Sequence, residues 1–221
     1  MQKTAVITGA NRGIGLAMAQ IFKSKGYAVK GVCRSSSPAL EALGVDVIDG
    51  VDVATDDGIA RLESALVSTN IDVLVCNAGI LRDENLEHFN LETMRDQFEV
   101  NTLAPLRVVH ALQSQLGAGS KIAMITSRMG SIADNTSGGR FGYRMSKAAL
   151  NIASVSLSHD LAERDIAVGI YHPGYVQTDM VGGRGDISAS EAANRIIGLI
   201  DNLTMAESGV FKHSNGQQLP W

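Results

Sequence analysis

The sequence has no run of lysine or arginine and no apolar stretch long enough to cross a membrane. Its formal net charge is -4 and its pI is about 5.7, so no basic patch is expected to attract nucleic acid or an anionic membrane surface. We therefore expect neither nucleic acid nor a membrane as a partner. Because the first predicted strand begins within a few residues of Met1, no signal segment is expected, and the predicted location is cytoplasmic.

Cysteine is scarce, and the two cysteines are Cys33 and Cys76. Each ends an apolar run, and neither has neighbours at a metal-ligand spacing. The pattern predicts buried free thiols, with a disulfide or a reactive thiol as the alternative. No metal site is expected.

Proline is also scarce, with 4 residues, whereas glycine is abundant, with 23. Together with 45% hydrophobic residues, this balance fits a compact α/β protein with many tight strand-helix junctions. A chain of 221 residues can bury one sizeable core but is too short for a cofactor domain plus a separate substrate domain. We expect a single domain over residues 1–221, with the active site on it.

The segment from Thr4 to Gly15 predicts a buried strand, a glycine-rich turn and the start of a helix. Gly9, Gly13 and Gly15 are spaced as Gly-x3-Gly-x-Gly. Such glycines permit a tight turn and close approach of a pyrophosphate, while free N-H groups at the helix start attract its charge. The segment lacks the Lys-Ser/Thr ending of a nucleoside triphosphate loop. It predicts a dinucleotide site, with a turn that only closes the strand-helix unit as the alternative.

The second predicted strand, at 27–33, is followed by Arg34 rather than by an acidic residue. An Asp or Glu at this point would hold the ribose 2'-hydroxyl of NAD. Arg34, together with Arg12 inside the glycine-rich turn, suits a 2'-phosphate instead, because arginine binds phosphate in a bidentate manner. The sequence favours NADPH (NADP) as cofactor, with NAD possible. The alternative for Arg34 is a solvated side chain.

Strand and helix patterns alternate along the rest of the chain. Further strands are predicted at 45–48, 71–76, 120–126, 166–171 and 209–211, and helices at 56–67, 91–115, 143–163 and 189–203, with Thr55 as an N-cap. This alternation predicts a Rossmann fold, a doubly wound, mostly parallel sheet with helices on both faces. Ligands bind such sheets beyond the carboxyl ends of the strands, where Asn77-Ala78-Gly79 follow the fourth strand.

The long helical pattern at 91–115 contains Pro105 four residues after Asn101. Proline in a helix interior removes the hydrogen bond to the carbonyl four residues earlier. The Asn101 carbonyl is therefore predicted to be free for a polar group or a water molecule, with a simple kink as the alternative.

Ser127, Tyr143 and Lys147 form the candidate catalytic set. Hydride transfer to a carbonyl produces an alkoxide that must be protonated. Tyr143 could supply the proton, and Lys147, four residues later on the same helix face, could lower the pKa of Tyr143. Ser127 follows the fifth strand and could bind and orient the carbonyl oxygen. The alternative is a solvated tyrosine and lysine on an exposed helix.

Four motifs resemble those of the short-chain dehydrogenase/reductase family. They are Thr8-Gly9-x3-Gly13-x-Gly15, Asn77-Ala78-Gly79, Ser127 with Tyr143-x3-Lys147, and Pro173-Gly174 followed by Val176 and Thr178. The resemblance, which runs from Thr4 to about Thr178, implies that the tyrosine is the acid/base and that the serine orients the carbonyl. It implies that the lysine lowers the tyrosine pKa and binds the nicotinamide ribose. It also implies a catalytic role for Asn101, through a water held by its backbone carbonyl.

The same resemblance implies a set of cofactor-binding residues. Asp52 would lie at the adenine, Asn77 and Gly79 near a ribose, and Val176 and Thr178 at the carboxamide. The complete expected set is Gly9, Asn11, Arg12, Gly13, Ile14, Gly15, Arg34, Asp52, Val53, Asn77, Ala78, Gly79, Tyr143, Lys147, Pro173, Gly174, Val176 and Thr178. The short chain, the segment from Asn135 to Tyr143 and the closing Gly209-x-Phe211 to Pro220-Trp221 segment look like the C-factor and sniffer-like carbonyl reductase subgroup.

The segment 179–188 is shorter than the usual substrate-covering loop of this family, which predicts an open site. Met129, Ile132, Tyr175 and Met180 are candidate wall residues of that site, with ordinary packing as the alternative.

The predicted function is an NADPH-dependent carbonyl reductase or alcohol dehydrogenase that acts on a small-molecule carbonyl or alcohol. The alternative is an NAD(P)-binding regulatory or signalling protein of the same fold, because fold does not fix function. From the family resemblance we also expect a homodimer or homotetramer that pairs the two long helices, at 91–115 and 143–163.

Overall fold

A computed structural model describes residues 2–221. Its main sheet has seven strands, all parallel, in the order β3-β2-β1-β4-β5-β6-β9. These strands are β1 (Thr4–Thr8), β2 (Ala28–Val32), β3 (Asp46–Ile48), β4 (Ile71–Cys76), β5 (Leu116–Ile125), β6 (Ala167–His172) and β9 (Phe211–His213). Two short strands, β7 (Val176–Gln177) and β8 (Ile187–Ser188), form a separate pair. The predicted doubly wound sheet is confirmed.

Helices cover both faces of the sheet. They are α1 (Gly13–Ser24), α2 (Pro38–Ala42), α3 (Asp56–Leu66), α4 (Leu91–Phe98), α5 (Ala104–Leu112), α6 (Phe141–Asp160) and α7 (Ala189–Asn202). Residues of α1 and α7 pack in one core cluster with Ile7, whereas residues of α3, α5 and α6 pack in a second cluster with Val6. Because neighbouring residues of a strand point to opposite faces, β1 contributes to both cores.

Several predicted elements are confirmed at or near their predicted bounds. Strand β4 matches the predicted range, and five of its six residues are buried, as expected for a central parallel strand. Helix α3 begins after Thr55, whose hydroxyl accepts a hydrogen bond from the Gly58 N-H at 3.1 Å. Cys33 and Cys76 are buried free thiols, as predicted. A search of residues 2–221 finds no helix that combines the length and the apolar character needed to span a membrane.

The predicted helix at 91–115 is helical from Leu91 to Leu112, but one π-helical turn interrupts its α-helical hydrogen bonding. Helix α4 ends at Phe98, a π-helical turn occupies Glu99–Leu103, and α5 starts at Ala104 with Pro105 in its first turn. The backbone is helical at both junctions, Phe98 to Glu99 and Leu103 to Ala104, so Pro105 lies inside a continuing helix, where the π turn accommodates its missing N-H. Asn101 lies in this wider turn.

Other bounds differ from the predicted ones. The final strand begins at Phe211 rather than Gly209, because Gly209 has a φ of +80°, which lies outside the strand region. Helix α6 begins two residues before Tyr143, and β5 begins at Leu116 rather than Ser120. Helix α2 and the β7-β8 pair were not predicted, since elements of two to five residues are too short to show a period.

Candidate active site

Most of the predicted cofactor residues surround one cleft of about 210 Å³ at the carboxyl ends of β1, β2 and β4. This position is where an open parallel sheet reverses its strand order and binds ligands. From the predicted set, the cleft is lined by Gly9, Asn11, Arg12, Gly13, Ile14, Arg34, Asp52, Val53, Asn77, Ala78, Gly79 and Thr178. The cofactor-binding residues predicted from the sequence therefore form one continuous surface in the structure.

Close contacts hold the glycine-rich turn against the Asn77-Ala78-Gly79 loop. The Thr8 hydroxyl accepts hydrogen bonds from the N-H groups of Asn77 and Ala78, at 3.0 and 3.1 Å. The Asn77 amide donates to the Thr8 carbonyl at 3.0 Å. A Cβ on Gly15 would overlap the Gly9 carbonyl oxygen and lie 2.6 Å from the Asn77 amide nitrogen. Gly15 therefore supports the cleft from behind rather than lining it.

The N-terminus of α1 offers free N-H groups to the cleft. Arg12 occupies the N-cap position, its side chain makes no capping hydrogen bond, and the first turn holds no acidic residue. Unpaired N-H groups and the positive end of the helix dipole favour an anion at this point. The local geometry fits the pyrophosphate of a dinucleotide.

Arg12 and Arg34 lie at the cleft in loose ion pairs. The Arg12 Nη1 atom lies 3.7 Å from Asp179 Oδ2, and the Arg34 Nη1 atom lies 3.9 Å from Asp52 Oδ2. Both arginine side chains are about two-thirds exposed, at 67% and 66%. Exposed pairs contribute at most about 1 kcal/mol, so each guanidinium can turn toward a phosphate at little cost. Arg34 is solvated, as the alternative held, and it lines the cleft, so its contact with a 2'-phosphate stays a prediction.

Ser127, Tyr143 and Lys147 come together beside this cleft and are buried. The Lys147 ammonium lies 5.9 Å from the centre of the Tyr143 ring and donates a hydrogen bond to the Ile125 carbonyl at 2.9 Å. The Ser127 hydroxyl accepts a hydrogen bond from the Met129 N-H at 3.1 Å. A solvated tyrosine and lysine on an exposed helix face are thereby excluded.

The pKa values of this set differ from the expectation in one respect. Burial raises the pKa of Tyr143, although the neighbouring Ser127 hydroxyl and the charge of Arg140 oppose that shift. Burial also lowers the pKa of Lys147, to about 8. The net shift at Tyr143 is thus upward, opposite in direction to the predicted one. Desolvation of the phenolate outweighs the Ser127 hydrogen bond and the Arg140 charge, and the Lys147 ammonium is directed to the Ile125 carbonyl.

Asn101 is fully buried, and its side chain ties two parts of the site together. Its amide donates to the Ile80 carbonyl at 2.9 Å and to the Ser146 hydroxyl at 3.0 Å, while its oxygen accepts from the Ile80 N-H at 2.8 Å. The loop after Gly79 is therefore anchored next to Lys147. Sequence reasoning considered only the Asn101 carbonyl, whose water-binding role stays a prediction.

Three candidate wall residues are exposed. Ile132, Tyr175 and Met180 have exposed fractions of 83%, 44% and 45%, so ordinary packing does not explain them. Met129 is partly buried. Met180 lines the cleft directly.

Not every predicted residue lines the cleft, and some lining residues were missed. Pro173, Gly174, Val176, Tyr143 and Lys147 lie outside its lining, so their cofactor contacts stay predictions. The missed lining residues are Val32, Cys33, Val51, Ile80, Val100 and Asp179. Each stands within one residue of a predicted site residue or, for Val32, at the end of a strand that leads to one. Their position next to a motif residue is the sequence signal that could have identified these six residues as part of the cleft.

Comparison with known proteins identifies relatives over nearly the whole chain. The short chain dehydrogenase family matches residues 3–187. The chain is 36% identical over 224 residues to 1-hydroxy-2-glutathionyl-2-methyl-3-butene dehydrogenase of Rhodococcus sp. (strain AD45), with 99% of each chain covered. It is 42% identical over 154 residues to C-signal of Myxococcus xanthus, covering 68% of this chain and 93% of that protein.

The structure also superposes on a carbonyl reductase from chicken fatty liver that was solved with NADPH bound. The TM-score is 0.88 at 28% sequence identity, with 100% of this chain and 99% of that chain covered. The resemblance to C-factor and carbonyl reductase proteins is thus confirmed. With the nucleotide cleft and the Ser-Tyr-Lys set in place, these matches show that the chain belongs to the short-chain dehydrogenase/reductase family.

Proposed function

We propose that this protein is an NADPH-dependent carbonyl reductase, or an alcohol dehydrogenase in the reverse direction, with residues 1–221 as one dinucleotide-binding catalytic domain. The observation that carries the proposal is the convergence of Ser127, Tyr143 and Lys147 beside the dinucleotide cleft. The NADPH bound to the carbonyl reductase relative supports the choice of cofactor. The dehydrogenase relative of Rhodococcus supports the reaction class.

Each residue of the set has a distinct task in this reaction. A bound NADPH supplies the hydride that reduces the carbonyl carbon. Ser127 donates a hydrogen bond to the carbonyl oxygen and holds it beside Tyr143. Tyr143 then gives its proton to that oxygen, and its raised pKa keeps it protonated at neutral pH. Lys147 carries the positive charge that stabilises the resulting phenolate.

The direct test is NADPH oxidation, followed by absorbance, with a panel of aldehydes, ketones and quinones. We expect turnover with at least one of these classes. Tight NADPH binding without turnover of any of them would contradict the proposed activity.

An Arg34→Asp variant is expected to bind NADPH about tenfold to hundredfold more weakly, while its affinity for NADH should be maintained or rise, because an aspartate there can accept a hydrogen bond from the ribose 2'-hydroxyl. A hydrogen bond to a charged group contributes about 1.5–3 kcal/mol, and an aspartate would in addition repel the 2'-phosphate. Titration calorimetry with both cofactors measures the difference. Arg195→Asp on α7, outside the cleft, makes the same charge change and should leave both affinities unaltered. Equal NADPH and NADH affinities that Arg34→Asp does not move would remove the argument for NADPH.

The kcat/KM for NADPH, which reports ionisations of the free enzyme, is expected to be constant from about pH 6 to 7 and to fall above about pH 8. Lys147 has a pKa of about 8, so it is charged below that pH and neutral above it. A neutral amine no longer stabilises the Tyr143 phenolate. Lys147→Arg stays charged and should lose the alkaline fall. A wild-type profile that is level beyond pH 9 would contradict the role of the Lys147 charge.

The similarity to a protein named C-signal favours one second candidate, an NAD(P)-binding signalling protein without significant turnover. Both candidates predict cofactor binding, so a cellular assay distinguishes them. A Lys147→Met variant that retains the cellular role despite lost turnover would support the signalling function.

The proposal includes a homodimer or homotetramer in the cytoplasm. Large apolar side chains are exposed on the two long helical segments, namely Phe98 on α4 and Met145 and Ile152 on α6. Pairing these helices between copies would cover them.

A further inference from the structure

Glu84 is a buried carboxylate outside the cleft and outside the catalytic set. Only 3% of its surface is exposed. One carboxylate oxygen accepts hydrogen bonds from the Thr93 hydroxyl at 2.7 Å and the Gln97 amide at 2.5 Å. The other accepts from the Gly142 N-H at 3.3 Å. Burying a carboxylate costs free energy unless donors of this kind form hydrogen bonds with it. The presence of a buried carboxylate at this position therefore suggests that it has a role.

The third of these donors, the Gly142 N-H, belongs to α6, the helix that carries Tyr143 and Lys147. Helix α6 has no capping side chain of its own, because its N-cap residue Arg140 makes no such bond. Arg140 adopts a left-handed conformation with φ of +50°, which is uncommon for a residue other than glycine. The Glu84 carboxylate thus occupies the place of an N-cap and lies at the positive end of the helix dipole.

Arg140, two residues before Gly142, is held from the same segment. The Arg140 N-H donates to the Glu84 carbonyl at 2.7 Å, and the Arg140 guanidinium pairs with Asp83 at 2.6 Å. Main-chain and side-chain contacts from Asp83 and Glu84 therefore fix the chain immediately ahead of Tyr143. These contacts span more than 50 residues of sequence.

Gln97 and Gly142 complete the arrangement. Gln97 is fully buried and accepts a hydrogen bond from the Arg82 N-H at 2.8 Å, in addition to donating to Glu84. A Cβ on Gly142 would overlap the Gln97 amide and lie 2.8 Å from the Met94 Cα. Helix α4 and the first turn of α6 are therefore in direct contact, and Glu84 joins them.

We propose that Glu84 is a positioning residue for Tyr143. It caps α6 from across the fold, joins the first turn to Thr93 and Gln97, and thereby sets where the Tyr143 hydroxyl lies relative to Ser127. This inference rests on the proposed function, because the position of Tyr143 affects the rate only if Tyr143 is the proton donor.

The test is Glu84→Gln, which keeps the shape of the side chain but replaces one acceptor oxygen with a donor. The N-H group of either Gly142 or the Gln97 amide then faces the NH2 group of the new side chain and has no acceptor there. We expect kcat to fall about tenfold, while the KM for NADPH stays within about twofold of the wild type, because Glu84 does not line the cleft. Active sites are counted by NADPH binding, so a loss of folded protein does not register as a loss of kcat. Glu87→Gln, an identical change at an exposed position of the same loop, should behave as the wild type.

The exchange variant Glu84→Gln/Gln97→Glu separates a positioning role from general disruption. It returns a donor-acceptor pair between positions 84 and 97 and leaves the amide oxygen introduced at position 84 free to accept from Gly142, while the weaker Gln97 bond to the Thr93 carbonyl, at 3.2 Å, is lost. We expect kcat to recover to within about threefold of the wild type. If Glu84→Gln does not fold, Thr93→Val removes one donor at constant shape and should lower kcat about threefold.

Three outcomes would overturn the inference. They are an unchanged kcat in Glu84→Gln, a rise in KM for NADPH with kcat unchanged, and a failure of the exchange variant to recover activity. Tyr143→Phe is measured alongside. Full turnover in Tyr143→Phe would remove the proposed function itself, whereas its loss together with a normal Glu84→Gln would remove only the role of Glu84.

Discussion

A Tyr143→Phe variant is expected to lower kcat for carbonyl reduction about 1,000-fold. General acid catalysis contributes roughly 100-fold to 10,000-fold, so removing the proton donor should raise the barrier by about 4 kcal/mol. The change deletes one oxygen from a side chain that is 9% exposed and leaves its ring in place. NADPH affinity should therefore stay within about threefold of the wild type. Steady-state kinetics and a fluorescence titration of NADPH measure the two quantities separately.

The matched control for that experiment is Tyr27→Phe. The Tyr27 ring packs against Phe22 beside α1, and Tyr27 does not line the cleft. The same hydroxyl deletion there should leave kcat within about twofold of the wild type. Equal turnover by Tyr143→Phe and the wild type would show that another group donates the proton.

A Gly15→Ala variant is expected to bind NADPH more than about 100-fold more weakly than the wild type. Its free energy of unfolding should be lower by about 3 kcal/mol. The added methyl group would overlap the Gly9 carbonyl oxygen and force the glycine-rich turn away from the Asn77 side chain. Overpacking of this kind costs about 1–3 kcal/mol, and the displaced turn no longer presents its N-H groups correctly. A chain of this size should lose about 6–12 °C in Tm. Thermal unfolding and NADPH titration measure both effects.

Gly117→Ala is the control for Gly15→Ala. A Cβ at Gly117 would meet no atom within 4 Å, and the residue does not have a positive φ. Its stability should change by less than about 0.5 kcal/mol, and its NADPH affinity should not change. Wild-type NADPH affinity in Gly15→Ala would contradict the close contact between the two loops.

The central strand and the helix that carries Tyr143 and Lys147 could be predicted from the sequence because their signals are local. Strand β4 is a continuous apolar run, and the four-residue spacing of Tyr143 and Lys147 places both on one side of α6. The cleft could be located for the same reason, since its residues follow strand ends at glycine-rich turns.

Features that depend on distant contacts could not be predicted in this way. Nothing in the sequence around Glu84 indicates that Gly142, 58 residues later, would face its carboxylate. The predicted direction of the Tyr143 pKa shift was wrong for a related reason, because burial is a property of the whole fold and here outweighs the Ser127 hydrogen bond and the Arg140 charge. The π turn at Asn101 was missed because it occupies a single turn, which is too short to show a period of its own.

The π turn Glu99–Leu103 also restricts where the gene can gain or lose a codon. Such a turn contains about one residue more than an α-helical turn, and one residue corresponds to a rotation of about 100°. Deleting one residue there would close the π turn to an α turn and keep the faces of α4 and α5 aligned, whereas deleting one within α5 would rotate the residues after it and carry Leu112 away from the sheet, where it is now buried. Single-codon losses among homologous genes should therefore be found in this segment more often than within α4 or α5.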